Sequence, residues 1–154
     1  MKKRIAAFAA ICLLAAACCA CGGTAATAAY QVETGDKIQV RLDTSSGFSL
    51  TQTSPFVVTK GEATVGTGVF LTLENYQQYL TQLRKGSDRV ELLAEGEKDK
   101  NSYVFYRCEG DYGIEYDFLI LISDSSTGVL LGCETTQEAA LECFNALTFS
   151  KISG

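Results

Sequence analysis

The chain has 154 residues, of which 47% are hydrophobic and 20% are charged, and it carries seven Cys, one Pro and no His or Trp. That length and composition indicate one globular domain and exclude a disordered chain. The formal net charge is −5, but three of the 13 basic residues lie at positions 2–4; without them, 10 basic residues stand against 18 acidic ones, a net charge of −8. The absence of His excludes Ser-His-Asp and Cys-His catalysis and disfavours ordinary zinc enzymes. The acidic body also lacks a basic patch, so we expect no nucleic-acid partner.

The N-terminal residues have the pattern of an export signal. Lys2, Lys3 and Arg4 precede Ile5–Ala17, an unbroken apolar run of 13 residues. A bilayer-spanning helix needs roughly 20 such residues, whereas the apolar region of a secretory signal peptide has about this length. The small residues and cysteines at positions 14–23, LAAACCACGG, then resemble the lipobox of a bacterial lipoprotein. We therefore predict a lipoprotein signal peptide over residues 1–20.

The lipobox resemblance implies that one cysteine becomes the lipid-bearing N-terminus of the mature protein. Cys21 is the first candidate, because Ala20 precedes it and two glycines follow it; Cys18 is the alternative, and Cys19 comes third. The competing interpretation is an ordinary secretory signal cleaved after an alanine, or an uncleaved anchor. Two or more acyl chains, at about 0.8 kcal/mol per buried methylene, hold a protein stably on a bilayer. The predicted location is the extracytoplasmic face of the cell membrane.

Residues 21–36 are predicted to form a flexible tether. The stretch GGTAATAAYQVETG at positions 22–35 begins with small, uncharged residues and has no convincing amphipathic period. A flexible chain of about 14 residues has a mean reach near 20 Å. Such a tether would hold the following domain close to its membrane.

Residues 37–154 are predicted to form a single domain. Alternation of Ile38, Val40 and Leu42 with polar residues indicates a strand with one buried face. The predicted elements of the first half are that strand, a short strand at Phe48–Thr51, a hairpin of residues 56–59 and 63–72, and a helix at Glu74–Arg84 with Gly86 as its C-cap.

The second half is predicted to be an antiparallel meander followed by a helix. Its predicted elements are strands at residues 90–93, 103–108, 114–122 and 129–133, a helix capped by Thr135 or Thr136, and an extended tail at residues 148–152. Turn sequences separate the consecutive strands. The predicted fold class is α+β: an antiparallel β-sheet meander with two main helices packed on it, like an α/β/α sandwich.

This element order resembles that of the PsbP-like and DcrB-like small α/β sandwiches. The resemblance covers most of the mature domain and includes its C-terminal signature, a strand ending at Cys133, a Thr-capped helix and a short extended tail. It implies an antiparallel sheet sandwiched by helices, in exported or lipid-anchored proteins that act mainly as accessory subunits or binders. The chain has no matching functional residue to which a family role could be transferred.

Three cysteines lie in the body, Cys108, Cys133 and Cys143. A Cys108–Cys133 disulfide is disfavoured, because the strand at residues 114–122 would separate the two by about 9–10 Å. A Cys133–Cys143 disulfide is sterically possible, since the last helix folds back over the sheet. The competing interpretation, which we prefer at this stage, is that all three are small buried hydrophobic residues.

Acidic residues cluster near one predicted hairpin turn: Asp111, Glu115 and Asp117, with Asp99 and Asn101 in the preceding loop. Oxygen ligands at this spacing could bind Ca²⁺, but the pattern of an EF-hand is missing, so we interpret them as solvated turns. Glu115 and Asp117 share a strand face with Leu119, which predicts a face that is partly wet or lightly covered. We predict neither a metal site nor a cofactor. Six tyrosines on the predicted helix and meander are assigned to core and strand packing: Tyr76, Tyr79, Tyr103, Tyr106, Tyr112 and Tyr116.

The sequence favours a non-catalytic, membrane-anchored surface lipoprotein whose domain binds a protein partner in the cell envelope. The alternative is a solute- or ion-binding lipoprotein with a small pocket between helix and sheet. A carboxylate-based hydrolase is the least favoured class, because a domain of this size leaves little cleft for two carboxylates and a sugar. We predict no catalytic residues.

Overall fold

The computed structural model describes residues 24–153. In chain order the elements are β1 (Ala25–Gln31), β2 (Lys37–Asp43), β3 (Phe48–Thr51), β4 (Phe56–Lys60), β5 (Ala63–Thr72), α1 (Leu73–Lys85), β6 (Val90–Lys98), β7 (Asn101–Gly110), β8 (Gly113–Leu121), β9 (Thr127–Gly132), α2 (Gln137–Ala146) and β10 (Leu147–Lys151). The α+β class is therefore confirmed. Neither helix in this part of the chain is long and apolar enough to cross a membrane.

The strands form two antiparallel sheets. The larger has seven strands in the order β3-β4-β5-β9-β8-β7-β6, and the predicted meander is its β6-β7-β8-β9 part. The smaller sheet has the order β1-β2-β10, in which the C-terminal strand pairs with β2, Leu147 opposite Leu42 and Phe149 opposite Val40. The sequence did not reveal this second sheet, because β10 lies about 100 residues after β2 along the chain and β1 was not recognised as a strand.

The predicted tether is wrong for residues 25–36. Residues 25–31 form strand β1, whose whole length pairs with β2 from Ala25 opposite Asp43 to Gln31 opposite Lys37. Ala28 and Tyr30 are buried in the core. The alternation of burial was hidden by the small side chains of this stretch, which carry little hydrophobic signal. Residues 21–23 of the predicted tether lie outside the described residues, as do the predicted signal peptide and both lipidation candidates, Cys21 and Cys18.

The two helices pack on opposite faces of the seven-stranded sheet. On β8, Phe118 and Ile120 belong to the core that includes α2, whereas Leu119 belongs to a second cluster with Tyr76 and Leu83 of α1. Each helix begins at a threonine whose hydroxyl accepts a backbone N–H, Thr72 for α1 and Thr136 for α2, which satisfies a donor left free at the helix start.

Candidate functional site

Three ligand-type side chains meet on the face of the seven-stranded sheet that carries α1. Cys108 on β7 lies directly opposite Glu115 on β8, and the next pair on the same face is Tyr106 opposite Asp117. One ligand atom from each of Cys108, Glu115 and Asp117 lies within 4.8 Å of the others. We call this site, together with Glu134 beside it, the acidic recess. The sequence placed these acids near one turn but did not connect Cys108 with them.

The other members of the predicted acidic cluster do not join the recess. Asp99 forms an ion pair with Lys98 at 3.0 Å and accepts a hydrogen bond from the Thr148 hydroxyl. Asn101 is buried and connects Phe149 and Ser123 through its side-chain amide. Its role is thus structural, and only Glu115 and Asp117 of the predicted set lie together.

Asp117 is the buried centre of the recess, with 6% of its surface exposed. Its Oδ1 accepts the backbone N–H of Cys133 at 3.2 Å, and its Oδ2 accepts the thiol of Cys108 at 3.5 Å. No Lys or Arg among residues 24–153 forms an ion pair with Asp117 or Glu115. A buried carboxylate without a cationic partner is costly, and proteins relieve that cost by protonation or by binding a cation.

The recess raises the pKa of Asp117, Glu115 and Cys108. Burial is the main reason that the pKa values of Asp117 and Glu115 lie above their usual range, and the charge of Asp117 adds to the shift of Glu115. Burial, followed by the charge of Asp117, raises the pKa of the Cys108 thiol to about 12. At neutral pH Cys108 is therefore a protonated thiol, and it is a poor nucleophile.

The recess is open to solvent on the side where Glu134 is exposed and Glu115 is half-buried. An open groove of about 410 Å³ runs beside it, lined by residues 64–67 of β5, by Gly132 of β9, and by Glu115 and Glu134. A Cβ at Gly132 would lie 3.6 Å from Oδ1 of Asp117, so Gly132 lies between the groove and this buried carboxylate. Asp117 and Leu119 are buried on this strand face and only Glu115 is half-buried, so the predicted wet or lightly covered face is limited to the Glu115 end of β8. Thiol and carboxylate groups in this arrangement could hold a divalent cation.

A second groove, of about 470 Å³, lies between α1 and the β6–β7 edge of the sheet. Its apolar walls are Tyr79 and Leu83 of α1, Val90 of β6 and Tyr106 of β7. Leu92, directly opposite Tyr106 on β6, is 42% exposed, and Tyr79 is 40% exposed. We call this surface, with Leu92, the apolar groove. Tyr106 connects it to the recess, because Tyr106 on β7 lies directly opposite Asp117 on β8.

The remaining predicted residues serve packing or lie at the surface. Cys133 and Cys143 are fully buried, and no disulfide joins any two of Cys108, Cys133 and Cys143 in this structure. β8 does separate Cys108 from Cys133, as predicted. The tyrosines divide: Tyr76 and Tyr106 are buried, Tyr103 and Tyr116 are partly buried against the core, Tyr79 is exposed, and Tyr112 is 96% exposed on the β7–β8 turn.

Sequence reasoning missed Cys108, Tyr106 and Glu134 as members of these sites. The signal that could have identified the first two is the register of the β7–β8 hairpin, since a tight turn at positions 111–112 places Cys108 opposite Glu115. Comparison of the chain with family models, with curated proteins and with solved structures finds no match.

Proposed function

We propose that the chain is a non-catalytic, lipid-anchored binding protein on the extracytoplasmic face of the cell membrane. The lipid is carried by Cys21, with Cys18 as the alternative. The support is the export pattern of residues 1–20, in which basic residues, a short apolar run and clustered cysteines follow one another. The α+β class of the fold is consistent with the resemblance of the element order to the PsbP-like and DcrB-like proteins.

The position of β1 supports a domain held close to the membrane by a lipid on Cys21. Ala25 is the first strand residue and lies four positions after Cys21, so a lipid on Cys21 is joined to the folded domain by at most about 14 Å of extended chain. The acyl chains, not a long linker, then determine how far the domain can move. Its partner must be reachable at the membrane surface, which favours a protein of the envelope.

The observation that supports binding most directly is the apolar groove. Tyr79 and Leu92 expose large apolar side chains next to a concave wall, on a body whose net charge is −8 once residues 2–4 are set aside. Contiguous apolar surface of this kind marks sites for protein partners or ligands. A protein partner would insert apolar side chains between α1 and β6; a small apolar solute at the same groove is the alternative.

Two features of the recess argue against hydrolysis. Glu115 and Asp117 project from the same face of one strand, whereas the two carboxylates of a glycosidase flank the scissile bond from opposite sides. The thiol of Cys108 is protonated at neutral pH because its pKa is about 12. The recess therefore offers neither a carboxylate pair placed for this chemistry nor an activated nucleophile.

The anchor is tested by metabolic labelling with radioactive palmitate. The wild-type chain is expected to incorporate label, and a variant with Cys18→Ala, Cys19→Ala and Cys21→Ala together is expected to lose it. Cys108→Ala is the matched control, and it should be labelled like the wild type. A labelled triple variant would refute the lipid anchor.

The groove is tested by a photo-crosslinking amino acid placed at position 92 of the full chain, in intact cells. We expect a crosslink to one envelope protein, identified by mass spectrometry, that Tyr79→Asp abolishes. The same amino acid at position 112, on the exposed β7–β8 turn, serves as the control. If position 92 gives no product beyond those of position 112, the groove is not the partner site.

Cation binding is a second candidate function, and the meeting of Cys108, Glu115 and Asp117 is the observation that favours it. The test is thermal unfolding with Zn²⁺ and, separately, Ca²⁺. If the recess binds a cation, the melting temperature rises with one of them, and Asp117→Asn removes the rise. Asp111→Asn, on the exposed turn outside the recess, should leave it intact. An unchanged melting temperature with both ions would eliminate this function.

A further inference from the structure

Cys133 and Cys143 bring their sulfur atoms together in the core. Cys133 directly follows β9, Cys143 lies on the inner side of α2, and both are fully buried. A Cβ at Gly66 would lie 3.5 Å from Sγ of Cys133 and 3.2 Å from Sγ of Cys143. The two sulfurs therefore border the same small space beside Gly66, together with a methyl group of Leu131 at 3.1 Å from that position.

We infer that Cys133 and Cys143 are joined by a disulfide bond in the exported protein. The inference rests on the extracytoplasmic location proposed above, because disulfides form and persist in compartments outside the cytoplasm. The oxidant is a second disulfide, either in another protein or in the oxidised form of a small thiol compound. Its S–S bond is cleaved and takes up two electrons and two protons, which gives two thiols, while one S–S bond forms between Cys133 and Cys143.

Burial determines when this bond can form. Thiol–disulfide exchange needs an accessible thiolate, whereas both sulfurs are enclosed after α2 has packed on the sheet. The bond must therefore form while α2 is undocked, during folding after export. Once formed, it should resist reductant in the native protein and yield to it only when the protein is unfolded.

The bond would stabilise α2 and the wall of the acidic recess. It closes a loop of 11 residues, 133–143, and the chain-entropy relation for a loop of that length predicts about a hundredfold shift of the unfolding equilibrium toward the folded state. Cys133 also donates its backbone N–H to Asp117 at 3.2 Å. A fixed Cys133 therefore helps to hold the buried carboxylate in place.

Differential alkylation of the full chain, purified from membranes, tests the inference. Free thiols are blocked with iodoacetamide in denaturant, disulfides are then reduced, and the released thiols are labelled with N-ethylmaleimide before peptide mapping. We expect maleimide on Cys133 and Cys143 and carboxamidomethyl on Cys108. In Cys143→Ser, Cys133 should instead carry carboxamidomethyl; in Cys108→Ser, the wild-type pattern of the pair should persist.

Carboxamidomethyl on both Cys133 and Cys143 of the wild-type chain would overturn the inference. Palmitate labelling of the same preparation separates this outcome from failure of the proposed function. A labelled chain with both thiols free refutes the disulfide and leaves the anchor intact, whereas an unlabelled chain with maleimide on both cysteines refutes the anchor and supports the disulfide. Because each label is assigned to an individual peptide, the cysteines of the N-terminal segment do not affect the result.

Discussion

Substitution of Gly68 by Ala is expected to disrupt the centre of the larger core. Gly68 on β5 lies directly opposite Phe56 on β4. The three atoms nearest to a Cβ at Gly68 all belong to the Phe56 ring and lie 2.5 Å or less away, against 3.4–4 Å for ordinary contact. Phe56 is fully buried, and the rings of Tyr30, Phe70 and Phe149 surround it at centroid distances of 6.1, 5.7 and 6.0 Å. The ring therefore has no free space into which it can move.

The size of the effect follows from the displacement of that ring. Inserting one methyl group into a packed core costs about 1–3 kcal/mol, and losing a buried Phe costs about 3–5 kcal/mol. Because the methyl group would occupy the position of the ring itself, we expect Gly68→Ala to lower the free energy of unfolding by about 3–5 kcal/mol. For a slope of about 2 kcal/mol per molar urea, the unfolding midpoint falls by roughly 2 M. Far-UV circular dichroism is the suitable probe, since the chain has no Trp.

A matched substitution and a double-mutant cycle separate the ring overlap from a general cost of replacing a strand glycine. Gly132→Ala, in the strand next to β5, meets its nearest side-chain atom at an ordinary 3.6 Å, and we expect a cost below about 1 kcal/mol. In a Phe56→Ala background, Gly68→Ala should cost little, because the overlapping ring is gone. Equal costs with and without Phe56, or a cost of Gly68→Ala no larger than that of Gly132→Ala, would refute the reasoning.

Three further predictions concern single side chains. Asp36 is ion-paired with Lys151 at 2.7 Å, and its pKa is lowered to about 2, chiefly by that contact. The contribution of Asp36 to stability is therefore complete above its unfolded pKa near 4 and is lost as the pH falls through about 2. Lys151→Met should flatten this part of a urea-stability profile against pH and should cost about 1 kcal/mol at neutral pH. Asp117→Asn should raise the melting temperature at neutral pH, because burial raises the pKa of Asp117 and so makes its charged form unfavourable in the fold; a lower melting temperature would contradict this. Thr136→Ala removes the hydroxyl that caps α2 and should cost about 1 kcal/mol in urea unfolding, while an unchanged midpoint would show that the cap contributes nothing.

The elements predicted correctly are those with a local signal. The helix predicted over Glu74–Arg84 extends from Leu73 to Lys85, and one of the two threonines proposed to cap the last helix, Thr136, does so. The hairpin β4–β5 and the meander β6–β7–β8–β9 also paired as expected, because a tight turn leaves an antiparallel partner as the nearest one, whereas β2 and β3 lie in different sheets. Strand β1 was not predicted, because its alanines carry too little hydrophobic contrast to reveal a buried face.

The candidate sites depend on contacts that no local pattern encodes. Cys108 meets Asp117 through hairpin register, Tyr106 lines the apolar groove and lies opposite Asp117, and Cys143 approaches Cys133 only after α2 has folded back onto the sheet. Each contact requires a strand register or a helix orientation that depends on the packing of the whole core.

Two kinds of information in this chain thus have different physical origins. Some features can be read from the sequence before the chain folds: the export-signal pattern, the acidic composition, the alternation of strands and the helix caps. The patterns among them depend on residues within a few positions of each other. The pairing of β2 with β10, the exposure of the recess and the approach of two thiols arise from segments far apart along the chain. They depend on which hydrophobic faces bury each other, and that is decided by the packing of the core as a whole.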